Sequence, residues 1–573
     1  MLTKMKSTIS NNGFFVFVIS IISLFFFVYL CNSSANIPIM DYWGYLNGLV
    51  EKSYKGGVSF SDLYGNNGIH RSPLQLLLFL ANVHFFSWNA QIGVFCGLTL
   101  KIINTCLLYK VLVNLLKEKN AYSFYICTVL ICVVYFTLGA YEILLLEFST
   151  SAEIRYGSFL FLFYKLSNIL CSKTISKEIN WIYEICLIFT ICFIGSAYSF
   201  AFGIAIILCL GTHYFITKED LKNNFLIYAS TILAIVFGFC FYLHGLDLHS
   251  TMPVSIENLG LFSLLVRYVK GCFVVFGSSL IGGEGFSSKI TTFVGLFIGL
   301  IHLVCFILYF KNKLFIKSYL PLLLWIYTLL FIGELIIGRS GHGIGELQAS
   351  RYIGDSIFAI IADIYVVALV YSSNNGKTLK FFSYGFFASI LLGVFITDVR
   401  QFKIGGNRKA WCSDLATKMI SIESYDDSDL GGFLANNPML VRNGVSIMRK
   451  YKLGIFSKGD VYDRPNEGVY SDKWIKTNSK FYLKPSLKSN CATFNFYNNT
   501  KNVDNKKLKV FVNGEYYNSF IIQEGGWSIQ VPLVSNIENI INLQTDFIQN
   551  FINGDSREVS LFLDGIIYRF IDN

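Results

Sequence analysis

The sequence predicts a polytopic α-helical membrane protein with a small β-rich domain at its C-terminal end. Apolar residues make up 53% of the 573 positions and charged residues only 15%, a balance that no single soluble core of this length requires. Apolar runs near the ~20 residues of a bilayer crossing recur up to about residue 400. Beyond residue 479 short alternating runs replace them. The chain accordingly divides into a membrane domain over 1–400, a linker with a helical segment over 401–479, and a β-rich domain over 480–573.

The first apolar run, Gly13 to Cys31, follows Lys4 and Lys6 but is long and lacks a small-residue cleavage site, so it reads as a retained span rather than a signal peptide. Further spans are expected at 90–113, 122–141, 154–171, 181–197, 199–216, 224–243, 291–310, 318–337, 353–372 and 380–398, about eleven crossings in all. Lys117/Lys119, Lys173/Lys177, Lys218/Lys222, Lys311/Lys313/Lys317 and Lys377/Lys380 fall at alternate ends, as the positive-inside rule asks of cytoplasmic loops. This places the N-terminus in the cytoplasm and the C-terminal domain outside. Residues 73–87 are too short to cross, and 259–280 carries Arg267 and Lys270, so both are expected as interfacial or re-entrant helices. The net charge of +10 lies in short clusters between apolar runs, which marks topology on a lipid bilayer and argues against nucleic acid as a partner.

Of the 14 cysteines, all but Cys412 and Cys491 lie in the apolar region, without metal or redox spacing. Those two can pair only in an oxidising compartment. In the tail, a basic helical piece is expected over Met439 to Phe456. Alternating runs at Ala492–Tyr497, Leu508–Val512, Ser528–Val531 and Val559–Leu563 predict strands, and Asn513-Gly514 predicts a hairpin turn. A β-sandwich of roughly 90 residues follows, with one helix near 537–551.

Candidate chemistry lies in two polar segments. After the first span come Asp41-Tyr42-Trp43-Gly44-Tyr45 and then Asp62, His70 and Arg71. A carboxylate and a His-Arg pair in one loop offer a base and a phosphate clamp; Tyr42, Trp43 and Tyr45 also read as an interfacial aromatic belt. The second segment runs from Gly338 and Arg339 through Gly343 and Glu346 to Ser350, Arg351 and Tyr352. Arginines in an outer loop run against the positive-inside preference, and glycines with guanidinium forks suit a phosphate, although a flexible exposed loop gives the same pattern. Asp62 is a spare base, and Trp43, Glu346, Ser350 and Tyr352 are candidate lining residues. Lys101, Lys165, His302 and Asp363 lie inside expected spans, where ionisable groups pair; Lys101 with Asp363 is one arithmetic possibility. His244, Asp247 and His249 form a small outer group, but the loops hold no tight metal-ligand cluster and no nucleotide motif, so no metal and no cofactor is expected.

Asp41-x-Trp43, His70-Arg71, Gly338-Arg339 with Gly343, and Ser350-Arg351-Tyr352 together resemble bacterial membrane glycosyltransferases of the GT-C fold. Among these the chain looks most like the serotype-converting O-antigen glucosyltransferases, which use undecaprenyl-phosphate glucose to modify lipopolysaccharide. Gly68-Ile69 departs from the Asn-Glu that often precedes His-Arg in that family. Gly554-Asp555-Ser556-Arg557 before an apolar strand also resembles the β-rich outer domains of such enzymes. The resemblance implies a GT-C-like membrane domain in the bacterial inner membrane and a periplasmic C-terminal domain. It further implies a lipid-phosphate sugar donor, a surface-polysaccharide acceptor, and inverting transfer with Asp41 as base while His70, Arg71, Arg339 and Arg351 bind the donor phosphate. An O-antigen polymerase and a lipid-linked-sugar transporter or flippase are the alternative readings.

Overall fold

The computed structural model describes residues 2–65, 71–116, 121–171, 180–217, 221–246, 261–283, 285–339, 343–373, 377–420, 422, 425, 427–435, 437–457, 466–470, 473–483, 490–498, 505–534, 537–549 and 557–569. Contacts divide the chain into two compact units. One, the membrane unit, comprises Met1–Ala35, Ser59–Phe79 and Ala90–Lys409; the other comprises Asn36–Val58, Leu80–Asn89 and Ala410–Asn573. The second unit thus takes in residues 36–58 and 80–89, which the division by sequence leaves with the membrane domain.

Among the described residues of the chain, 10 helices are long and apolar enough to cross a membrane: Asn12–Ser33, Ala90–Leu116, Phe124–Leu144, Ser196–Thr217, Phe225–Leu243, Phe262–Ile281, Ser288–Lys311, Leu320–Gly338, Ser350–Val370 and Ser383–Ile420. The chain is therefore a multi-pass helical membrane protein. The membrane-length stretch of its Ser350–Val370 span is 100% buried, as expected of a helix at the centre of a bundle. By contrast, Asn12–Ser33 and Ser288–Lys311 are 28% buried and leave Phe17, Leu24, Phe293 and Leu300 exposed, a surface suited to lipid.

Three segments differ from the reading of the sequence. The expected span at 154–171 is the Phe148–Cys171 helix of 24 residues, where Glu153, Arg155 and Lys165 lower the hydropathy below that of the ten. The expected span at 181–197 has a shorter apolar helix, Trp181–Ile194, and Ser196 then turns left-handed (φ 53). Conversely, Leu261–Ile281 is one unbroken helix of 21 residues, not an interrupted interfacial piece. Its charges do not break it because Arg267 Nη2 donates to the Arg339 carbonyl at 2.8 Å and Lys270 is exposed, free to extend toward water. This helix packs closely on Ser288–Lys311. A Cβ on Gly277 would lie 1.9 Å from the Thr291 carbonyl oxygen, and one on Gly295 1.6 Å from that of Phe273; small residues permit such an approach. Pro73–Phe86 is a 14-residue helix, short as expected.

In the second unit, the Pro438–Tyr451 helix begins at Asn437, whose side chain accepts from the Met439 N–H, and ends at left-handed Lys452. It buries Val441, Gly444, Val445 and Met448, a stripe at helical spacing. The β-rich part has strands β1 Glu467–Val469, β2 Trp474–Leu483, β3 Cys491–Asn498, β4 Lys507–Val512, β5 Glu515–Ile521, β6 Gly525–Pro532, β7 Asn539–Thr545 and β8 Leu561–Arg569. They form one antiparallel sheet of order β5-β4-β7-β2-β8-β3-β6, with β1 on β2, curled toward a barrel. The expected two-sheet sandwich is therefore corrected to a single sheet. Irregularities between Asn495 and Phe496 and between Val510 and Phe511 add the local twist that lets one sheet curl. The helix expected near 537–551 is replaced by β7, because Ile541 and Leu543 alternate into the same core as Phe494, Phe496 and Val510. Asn513 (φ 54) and Gly514 (φ 91) make the hairpin turn between β4 and β5, as their sequence demands. Cys412 and Cys491 are both buried and free.

Candidate functional site

Asp41 sits on a rigid base within the second unit. The preceding residue, Met40, is left-handed (φ 57), which costs a non-glycine residue of order 1–3 kcal/mol and persists where surroundings enforce it. Its N–H donates to the Phe433 carbonyl at 3.1 Å. Asp41 occupies the N-cap of the Tyr42–Tyr45 helix yet makes no side-chain cap hydrogen bond, and the residue is exposed. Tyr42 and Trp43 are buried, so they are core residues of this unit and not an aromatic belt. Trp43 meets the Phe433 ring edge-on at 5.3 Å. Its other neighbour is Gly444, where a Cβ would come within 2.6 Å of the indole. Asn47 Nδ2 then ties the Trp43 carbonyl (2.6 Å) to that of Leu440 (2.8 Å). Burial, with the Asp41 charge adding to it, pushes the Tyr45 phenol well above its ordinary pKa, so a neutral hydroxyl stands beside the carboxylate.

Asp62 has a structural occupation. It closes a capping box with Ser59 at the start of the Phe60–Leu63 helix, its Oδ2 accepting from the Ser59 N–H at 3.0 Å. His70 lies outside the described residues, as do Asp247, His249, Glu284 and 554–556. Arg71 is buried. Its Nη1 donates to the carbonyls of Tyr242 and His244, both at 2.8 Å, and its guanidinium covers the Tyr64 ring at 4.9 Å. A cation on the last carbonyls of the Leu221–Leu243 helix is favourable in its own right.

The second polar segment lies in the membrane unit. Arg339 ends the Leu320–Gly338 helix and donates from Nε to the Tyr352 hydroxyl at 2.9 Å. Arg351 Nη1 contacts Glu142 Oε1 at 2.6 Å, while the Ser350 hydroxyl donates to Glu142 Oε2 at 3.1 Å and accepts from the Glu142 N–H at 3.3 Å. The Ser350-Arg351-Tyr352 turn is thus fixed from both sides. Glu346 is exposed. Gln348, not singled out from sequence, is buried; its Nε2 donates to Thr291 Oγ1 at 2.8 Å and to the Gly283 and Phe286 carbonyls at 3.3 and 3.4 Å.

Three ionisable clusters lie deeper. Lys101 pairs with Glu153 at 2.8 Å and not with Asp363; Tyr135 also donates to Glu153 at 2.8 Å. Asp363 instead receives His302 Nδ1 at 2.6 Å and Trp325 Nε1 at 3.0 Å. Arg155 pairs with Asp355 at 2.7 Å, and Tyr327 and Tyr156 donate to the same carboxylate at 2.5 and 3.3 Å. Each carboxylate is satisfied on two sides, as buried charge requires. Among the described residues, no three His, Cys, Asp or Glu side chains converge to hold a metal ion.

No family model matches this sequence, and no curated protein or solved structure is similar to it. The chemical reading therefore rests on the side chains themselves. The second unit offers an exposed carboxylate on a strained, well-packed turn. The membrane unit offers arginines, most of which already have protein partners.

Proposed function

We propose that this chain is a membrane glycosyltransferase. It moves a hexose, with glucose favoured by the motif resemblance, from undecaprenyl phosphate to a surface polysaccharide such as the O-antigen of lipopolysaccharide. In this reading the N-terminus is cytoplasmic, and transfer takes place on the periplasmic side of a bacterial inner membrane.

The observation that carries the reading is Asp41. An exposed carboxylate follows a left-handed Met40 on a base of buried Tyr42 and Trp43. Strain held by packing is a common mark of a working residue. In the proposed step Asp41 accepts the proton of an acceptor hydroxyl as that oxygen bonds to the anomeric carbon. The bond from that carbon to the phosphate oxygen breaks, and undecaprenyl phosphate leaves with the electron pair, its charge stabilised by guanidinium groups.

The test is surface-glycan modification in cells expressing variants at matched levels. Asp41→Asn should insert and fold yet lower transfer by the ~10²–10⁴-fold of a lost general base, and Asp41→Glu should recover part of it. Asp62→Asn and Glu346→Gln serve as comparisons. Normal modification by Asp41→Asn alongside loss in either comparison reassigns the base; no effect from any of the three removes glycosyl transfer as the function.

A further inference from the structure

The geometry points to an anion site on the membrane unit, anchored by Arg400, that takes a phosphate ester. Arg400 lies on the Lys377–Ile420 helix, just past the last span expected from sequence. Its guanidinium rests on Gly285, whose φ is +82 and where a Cβ would fall 1.7 Å from Nη2. The carbon at its centre is 4.6 Å from the Phe286 ring centroid. Nη1 is buried and has no hydrogen-bond partner among the described residues. The nearest acid on the same helix, Asp398, is committed elsewhere, accepting from the Leu138 N–H at 2.8 Å and from the Thr137 hydroxyl at 3.3 Å.

The cradle is held in place. Gln348 binds the carbonyls of Gly283 and Phe286, and Ser287 caps the helix that follows. One turn before Arg400, Thr397 packs on Gly282, where a Cβ would come within 2.7 Å of its methyl. A planar fork of donors can bind two oxygens of a phosphate at once.

Comparison with other arginines sharpens the assignment. Arg71 is bound to backbone carbonyls, Arg155 to Asp355 and Arg351 to Glu142. Arg408 donates to Gln401 at 2.5 Å and to the Tyr29 hydroxyl at 2.8 Å. Arg400 has a buried nitrogen without a hydrogen-bond partner and no counter-ion among the described residues, an arrangement that an anionic partner stabilises. The inference rests on the glycosyl-transfer reading only in taking the phosphate of a lipid, rather than free phosphate, as the occupant.

The full chain in phosphatidylcholine nanodiscs is titrated with farnesyl phosphate, with farnesol and inorganic phosphate as comparisons. Farnesyl phosphate should bind more tightly than farnesol. Arg400→Gln should weaken that binding about tenfold or more, as loss of charge-assisted hydrogen bonds does, and Arg400→Lys should fall between. Gly285→Ala, which displaces the guanidinium, should act like Arg400→Gln, with melting temperature and elution volume reporting whether each variant is folded. Displacement of farnesyl phosphate by equimolar inorganic phosphate assigns the site to free phosphate and overturns the lipid occupant. Wild-type affinity in folded Arg400→Gln overturns the site. Because binding is read without transfer, the two readings fail separately: Arg400-dependent binding with no Asp41-dependent glycan modification leaves the anion site standing alone, and the converse leaves only the transferase.

Discussion

Replacing Asp355 by Leu tests how the membrane unit is held together. The Asp355 side chain is fully buried. It receives Arg155 at 2.7 Å, Tyr327 at 2.5 Å and Tyr156 at 3.3 Å, so the substitution strands a guanidinium and removes an acceptor from two hydroxyls. An unpaired buried charge costs about 3–5 kcal/mol, and each hydroxyl left unsatisfied adds ~1 kcal/mol or more. Arg155 also lies 3.8 Å from the Tyr198 ring centroid, a contact worth ~1–2 kcal/mol that survives in the single variant. Denaturant titration of the purified protein in mild detergent, followed by tryptophan emission, should therefore show a loss of at least ~3 kcal/mol for Asp355→Leu. Arg155→Leu combined with Asp355→Leu should recover most of it, since apolar replacement of both partners removes the stranded charge. A double variant as unstable as the sum of the singles, or a single variant within ~1 kcal/mol of wild type, would refute the argument.

Arg351→Ala and Glu142→Ala should each lower glycan modification about tenfold, with the double variant no worse than the weaker single, because the two act as one unit; additive losses would mean independent roles. Reporter fusions after Lys377 and after Ser479 should read cytoplasm and periplasm respectively, and the same side for both would undo the topology of about eleven crossings on which the proposed orientation rests. Lys450 and Lys55 hold the exposed Glu51 carboxyl below its ordinary pKa. This contribution is present above the unfolded glutamate value of about 4.3 and is lost as pH falls through the lower folded value. Lys450→Ala should accordingly lower the melting temperature slightly at neutral pH and low salt, and leave it unchanged in strong acid or at ~1 M salt, where screening removes the interaction.

Most of the membrane helices were legible because twenty apolar residues in a row have few alternatives to crossing a bilayer. Leu261–Ile281 was misread because Arg267 and Lys270 look disqualifying until the Arg339 carbonyl and an exposed edge are found for them. The Asn513-Gly514 turn was legible since its backbone geometry is local, whereas the β7 segment drew a helix reading because its inward partners lie on strands far away in sequence. Asp41 and the Ser350-Arg351-Tyr352 turn could be picked out as polar residues beside apolar runs. What each arginine touches could not, because Glu142 and Arg351, or Arg71 and Tyr242, meet only through tertiary packing. Arg400 is not marked by its sequence for the same reason: its distinction is a buried nitrogen with no hydrogen-bond partner among the described residues, and no residue pattern records that.

The Lys101–Glu153 pair has a consequence for biogenesis. A charged residue on an inserting helix costs up to ~2.5–3.5 kcal/mol at the helix centre and less toward its ends, and Phe148–Cys171 carries three, Glu153, Arg155 and Lys165. This helix is poorly equipped to leave the translocon for lipid by itself. Ala90–Leu116, synthesised first, supplies the counter-charge, so it must linger at the lateral gate until its partner emerges. Loss of Lys101 would then be felt by the ribosome-bound chain before any folded protein exists, as failed insertion and clearance by membrane proteases.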